Sequence, residues 1–189
     1  MYSSVRDFEA VAEQFLGASA NRWAHVRLVA ATMRQLAAGL PNVDRLVGAA
    51  WVHDIGYAPE LVMTGMHALD GASFLDRDGA PCEVVSLVAF HTGAEFEAEE
   101  RGLLDAFSQI DPPTQDDLDL LILADLLSGA DGDPTTVDGR LAGIFDRYES
   151  EHPVHRAVTR SAPYLKACAE RAARRVGYPM KGESRPSRP

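Results

Sequence analysis

The sequence predicts an all-α fold built as a single compact helical bundle. Apolar residues recur at helical spacing in one segment after another, and no segment alternates apolar and polar residues as a half-buried strand does. Glycine and proline fall between the periodic runs: Pro41 after Gly39, Gly56 and Pro59 after Ile55, Gly79-Ala80-Pro81, then Gly129 and the Asp-Gly-Asp-Pro of residues 131–134. Helices are expected near 4–17, 21–39, 43–55, 65–77, 82–91, 95–108, 115–129, 137–150 and 154–176. One domain is expected over residues 1–176. The tail 177–189, rich in Pro, Ser and charge, is expected to be disordered.

Taken in order, five of these helices carry polar residues where apolar ones are expected. In NRWAHVRLVAATMRQLAAGL the stripe Val26, Val29, Met33, Leu36, Leu40 has helical spacing, and His25 lies on its edge. A lone histidine there reads as a core imidazole bonded to a carbonyl. His53 and Asp54 interrupt LVGAAWVHDIG, otherwise apolar or small. Adjacent helical residues project about 100° apart, so both reach one ion only at a helix end, which Gly56 supplies by releasing the backbone.

His67 opens GMHALDGASFLDR, with Thr64 as the expected N-cap. It shares a face with Gly71, Phe74 and Leu75, and Asp70 lies near the same side. His91 closes PCEVVSLVAFH in line with Val84, Leu87 and Val88, and Gly93 then ends the helix at a polar mouth. Asp125 stands in LDLLILADLLSG, where residues 120–127 are otherwise wholly apolar. A buried aspartate needs a partner. No Lys or Arg occurs in residues 102–139, so a local ion pair is not expected, and a metal ion or a histidine from another helix is the expected partner.

Burying these six groups separately would cost several kcal/mol. Two clustered metal ions would satisfy His25, His53, Asp54, His67, His91 and Asp125 together, which points to a metal-dependent enzyme. The other two histidines, His152 and His155, flank Pro153 and read as a structural helix start. Arg22 and Arg156 read as solvated surface cations, with bidentate contact to a substrate phosphate as the alternative.

Composition narrows the partners. A net charge of −10 argues against a nucleic-acid surface, though metal ions would still let an acidic protein bind a phosphorylated small molecule. No apolar stretch approaches the roughly 20 residues needed to span a bilayer, and the N-terminus is polar and amphipathic, unlike a signal peptide. Cys82 and Cys168 are far apart and form no CxxC, as expected of thiols in a reducing cytoplasm.

The ordered stretches NRWAHVRLVA, AAWVHDIGYAPE, GMHALDGASFL, VAFHTGA and LILADLLSGAD together resemble the HD-domain superfamily of metal-dependent phosphohydrolases, over roughly residues 21–131. The resemblance implies that His25, His53, Asp54 and Asp125 hold one divalent ion. His67 and His91 would hold a second, with Asp54 bridging and therefore catalytic. Fe, Mn, Zn, Co and Mg all suit such ligands, and two such ions would activate a water and clamp a phosphate. Asp70, and less readily Glu60, would act as general acid or base.

The segment Ile55–Met66 is shorter than in the HD-GYP cyclic dinucleotide phosphodiesterases, and the GYP signature is absent, as are the extra domains of the long alarmone enzymes. A small stand-alone HD protein that cleaves a nucleotide or other phosphate ester is therefore expected. A mixed-valent di-iron oxygenase using the same kind of ligand set is the alternative.

Overall fold

In the computed structural model, residues 2–180 are described, and within them the periodic runs become helices. These are α1 (Val5–Leu16), α2 (Ala20–Leu36), α3 (Val43–Val52), α4 (His67–Arg77), α5 (Cys82–Phe90), α6 (Ala94–Arg101), α7 (Leu104–Phe107), α8 (Gln115–Leu126), α9 (Val137–Arg147) and α10 (Pro153–Val176). Short 3-10 turns follow α3 (Ile55–Tyr57 and Pro59–Leu61) and α5 (His91–Gly93). Among the described residues no strand forms, and the one β-type pairing is an isolated bridge between Ser128 and Pro134. The chain is all-α. Residues 181–189 of the expected tail lie outside the described residues.

Helix α8 is the centre of the bundle because from Leu120 on its sequence is apolar on every side but that of Asp125: Leu120, Leu121, Ile122, Leu123, Ala124 and Leu126 are all buried. A helix apolar nearly all round must be enclosed. It packs against α10, α2, α3 and α5. Each fully buried Leu or Ile stabilises the fold by about 1.5–3 kcal/mol, so α8 is held rigidly, and Asp125 with it. The amphipathic α10 covers α8 with Leu165, Cys168, Ala169 and Ala172.

Three expectations change on the structure. The run at 95–108 is two helices, because Gly102 takes a left-handed conformation (φ 68°) and closes α6. Thr64 is not the N-cap of α4; Met66 is, and the Thr64 hydroxyl instead accepts from the Met66 N–H at 3.1 Å. Gly56 is required for space rather than for backbone freedom. Its φ is not positive, but a Cβ there would lie 2.0 Å from the His67 carbonyl oxygen and 2.6 Å from the Gly71 nitrogen. The chain just after the His-Asp doublet thus lies directly against the first turn of α4.

His152 and His155 behave as a helix start. The His152 ring accepts from the Val154 N–H at 3.2 Å as N-cap of α10, and His155 Nδ1 bonds the Tyr148 carbonyl at 2.8 Å. Exchanging either for alanine is expected to leave metal content and activity within about twofold of the parent, since loss of a cap costs about 1 kcal/mol of stability and no ligand. Metal analysis beside a rate assay checks this. No helix among the described residues is long and apolar enough to cross a membrane.

Candidate metal centre

Five helix ends and turns deliver the six polar residues to one place. His25 projects from the first half of α2, His53 and Asp54 follow the last turn of α3, and His67 opens α4. His91 follows α5, and Asp125 sits near the end of α8. His25, His53 and His91 are fully buried, and Asp54 and Asp125 nearly so. The turn after His91 is tight: Thr92 has φ 55° and Gly93 φ 69°. A β-branched residue in the left-handed region is strained, and here the strained turn carries the chain from His91 into α6.

The Asp54 carboxylate stands between two histidine pairs. Its Oδ2 lies 3.5 Å from His25 Nε2 and 3.6 Å from His53 Nε2, and its Oδ1 lies 3.6 Å from His67 Nε2 and 3.7 Å from His91 Nε2. Within the pairs, the Nε2 atoms are 3.4 Å apart for His25 and His53, and 3.2 Å apart for His67 and His91. Two groups therefore bring three ligand atoms within 4.8 Å of one another: His25, His53 and Asp54, and then Asp54, His67 and His91. Asp125 joins the first side through His25, whose Nε2 is 3.2 Å from Asp125 Oδ1.

Proton bookkeeping tests whether a cation fits. His25, His53 and His91 place Nδ1 at 2.9, 2.8 and 2.6 Å from the carbonyl oxygens of Gly129, Ala50 and Val88. A carbonyl only accepts, so each Nδ1 donates, which leaves the Nε2 of such a ring, when neutral, with an unshared lone pair turned toward Asp54. Between His25 and His53 two such lone pairs face one another at 3.4 Å beside the Asp54 carboxylate, which calls for something positive between them. Ligands at about 2.0–2.2 Å from one ion stand roughly 3.0–3.5 Å apart, which matches the separations within each pair. Backbone carbonyls orienting the far ring nitrogen are the usual outer support of metal-bound histidines. The donor set fits divalent ions.

A model of the HD domain family matches residues 22–151. The chain belongs to the HD domain family. That superfamily includes metal-dependent phosphohydrolases, and its members bind divalent metals. No curated protein and no solved structure matches significantly.

Two arginines complete the HD site. Arg22 pairs with Asp54 Oδ2 and lies over the Tyr57 ring, 3.9 Å from its centroid. Tyr57 in turn stacks on His67 with ring centroids 4.1 Å apart. The expectation of a solvated surface Arg22 is thus corrected: the first turn of α2 aims it inward. Asp125 has a histidine from another helix, His25, as expected, and beside it a cation from outside its own helix: Arg140 Nη2 lies 3.2 Å from Asp125 Oδ1. Arg140 is the first cation after the stretch without Lys or Arg, and α9 folds back to deliver it. Its only signal in the sequence was the need of Asp125 for a partner. Arg156, as expected, serves a surface network with Glu100.

Asp70, in the first turn of α4, is buried. Its carboxylate accepts from the Thr64 N–H and hydroxyl, both at 2.8 Å, and from the Gly65 N–H at 3.1 Å. It clamps the loop leading into α4, and both of its oxygens are engaged there. Glu60 is exposed. Glu97, which the sequence did not single out, lines the cavity over the site but is paired with Arg101 at 2.6 Å.

Electrostatics keep the carboxylates charged. Burial opposes ionisation of Asp54, but Arg22 and the surrounding histidines outweigh it and hold the carboxyl well below its usual range. Asp125 is likewise held low against burial, chiefly by Arg140 and then His25. Burial pushes His53 down to about 4 and His67 to about 3. Burial also resists charging of His91, yet the Asp54 carboxylate outweighs it and raises that ring.

A pH dependence follows for protein stripped with chelator. Below pH 6.5 the unfolded chain protonates its His53 and His67 equivalents while the folded chain does not, so stability falls between about pH 6.5 and 4. Asp54 and Asp125 extend the loss below the ordinary carboxylate range. His91 works the other way: its contribution is fully present below pH 6.5 and is lost as pH rises through its raised folded value, but it is one group against two. Urea unfolding is expected to show a loss on the order of 2 kcal/mol between pH 7.5 and 5; an unchanged or higher midpoint at pH 5 would contradict this balance.

Proposed function

We propose that this HD domain is a metal-dependent phosphohydrolase that cleaves a phosphate ester of a small molecule. His25, His53, Asp54 and Asp125 would hold one divalent ion, and His67, His91 and the shared Asp54 a second. When bound, such ions polarise a phosphoryl oxygen and lower the pKa of water so that hydroxide is available near neutral pH.

The observation that carries the reading is the wall facing the cluster: Arg22, Arg140 and Arg147 line the cavity that opens onto Asp54, His67 and Asp125. Guanidinium groups suit phosphate oxygens in planar, two-point contact. Against these three arginines the lining sets three carboxylates, Asp54, Asp125 and Glu97, so divalent ions would give the cavity a net positive charge suited to an anion.

The chain's own contribution is positioning. The carbonyls of Gly129, Ala50 and Val88 fix three rings with Nε2 inward, and Arg22 and Arg140 keep Asp54 and Asp125 ionised. The cavity beside them is narrow, about 60 Å³, which restricts bulk water. An apolar side formed by Leu126, Ile144 and Val158 strengthens every charge interaction within it.

The test is metal analysis of protein purified without added metal, then a phosphate-release screen over nucleotides, dinucleoside polyphosphates and phosphomonoesters. Metal-dependent release from at least one class is expected. Oxygen uptake with iron and an organic substrate, without phosphate release from any compound, would instead favour the oxygenase chemistry that similar ligand sets support.

A further inference from the structure

Two cavities meet at three arginines. The inner one, over Asp54, His67 and Asp125, is about 60 Å³, room for a few water-sized groups. It suits a compact group such as a phosphate better than a large substrate. The outer cleft is about 560 Å³ and is lined by polar groups such as Ser19, Asn21 and Thr135. Arg22, Arg140 and Arg147 line both.

The three cations are not equivalent. Arg22 is engaged with Asp54 and Arg140 with Asp125. Arg147, at the end of α9, is exposed and makes no ion pair among the described residues. Deeper in, Arg140 Nε and the Ser161 hydroxyl are buried without a hydrogen-bond partner, and both residues line the inner cavity. Unpaired buried polar atoms are costly, so the cavity is built for a polar ligand. Beyond the arginines, Asp131 and Asp133 line the outer cleft and would repel an anion seated further out. A negative group extending from the inner cavity therefore finds its best place at Arg147.

We propose that Arg147 is a specificity-determining residue that holds a second anionic group of the substrate, carried next to the phosphate seated at the His/Asp cluster. The preferred substrates are then phosphorylated carboxylates or bisphosphates with a short spacer, not lone phosphomonoesters of neutral alcohols. This rests on the phosphohydrolase reading for the first phosphate, and its test is chosen to stand apart from turnover.

The metal-loaded full chain is titrated calorimetrically with methylphosphonate, which carries one anionic group, and with phosphonoacetate and 3-phosphonopropionate, which add a carboxylate. None is a phosphate ester, so binding is read without hydrolysis. The better of the two carboxylates is expected to bind about tenfold more tightly than methylphosphonate, the worth of one charge-assisted contact. In Arg147→Ala that ratio should fall to about one, and Arg147→Lys should keep part of it as a point charge without the planar fork. A ratio near one in the parent protein, no binding of any of the three, or a ratio that persists in Arg147→Ala would overturn the proposal. If the ratio behaves as expected while the phosphate-release screen finds no substrate, the specificity stands and the hydrolase reading falls.

Discussion

Asp54→Ala is expected to lose activity by about three orders of magnitude, the scale of the several kcal/mol that metal charge stabilisation supplies to a phosphoryl transition state. Asp54 is the one residue whose two oxygens face different histidine pairs, so its removal takes a ligand from both groups at once. Metal content should fall together with the rate. The fold should persist, because the lost interactions are ionic and Arg22, whose side chain is 20% exposed, can turn to water once its partner is gone. Asp54→Asn separates ligation from shape: it preserves volume and one carbonyl acceptor but removes the charge, and it too should lose most activity. Circular dichroism with metal analysis and a rate assay checks all three. Full activity in Asp54→Ala would remove both the hydrolase and the oxygenase readings.

Gly56→Ala is expected to destabilise the chain by about 3 kcal/mol or more, at the upper end of overpacking penalties. The atoms a Cβ would meet are backbone, the His67 carbonyl and the Gly71 nitrogen, which cannot swing aside as a side chain would. Either the 3-10 turn after Asp54 or the first turn of α4 has to move, and each movement separates Asp54 from His67. Metal affinity should therefore fall with stability, even though no ligand has been altered. Urea unfolding and a metal titration check the two effects. A variant with unchanged stability and affinity would show that the close approach of this turn to α4 is not a constraint.

How much of this was legible in the sequence depends on the range over which each signal acts. Apolar periodicity is local, so helices such as α8 and α10 were visible, and a polar residue interrupting an apolar run marked His53, Asp54, His91 and Asp125 as unusual. Boundaries were legible where glycine or proline stood between runs. Gly102 gives no such signal, because the periodicity on either side reads through it.

Partner choice was not legible, because it is made by packing. Arg140 reaches Asp125 only because α9 folds back on α8, and Arg22 turns inward only because α3 places Asp54 opposite α2. Asp70 carries the same residue type as a catalytic acid, and only its three hydrogen bonds to Thr64 and Gly65 show that it clamps a loop. Gly56 is ambiguous in the same way, since a glycine needed for space and one needed for backbone freedom look alike in one sequence.

Two divalent ions held by six side chains, with Asp54 between them, would be seen by anomalous diffraction from crystals of the manganese-loaded chain. Two peaks are expected, one against His25, His53 and Asp125 and one against His67 and His91, each in contact with a different oxygen of Asp54. A single peak, or peaks away from Asp54, would contradict this arrangement.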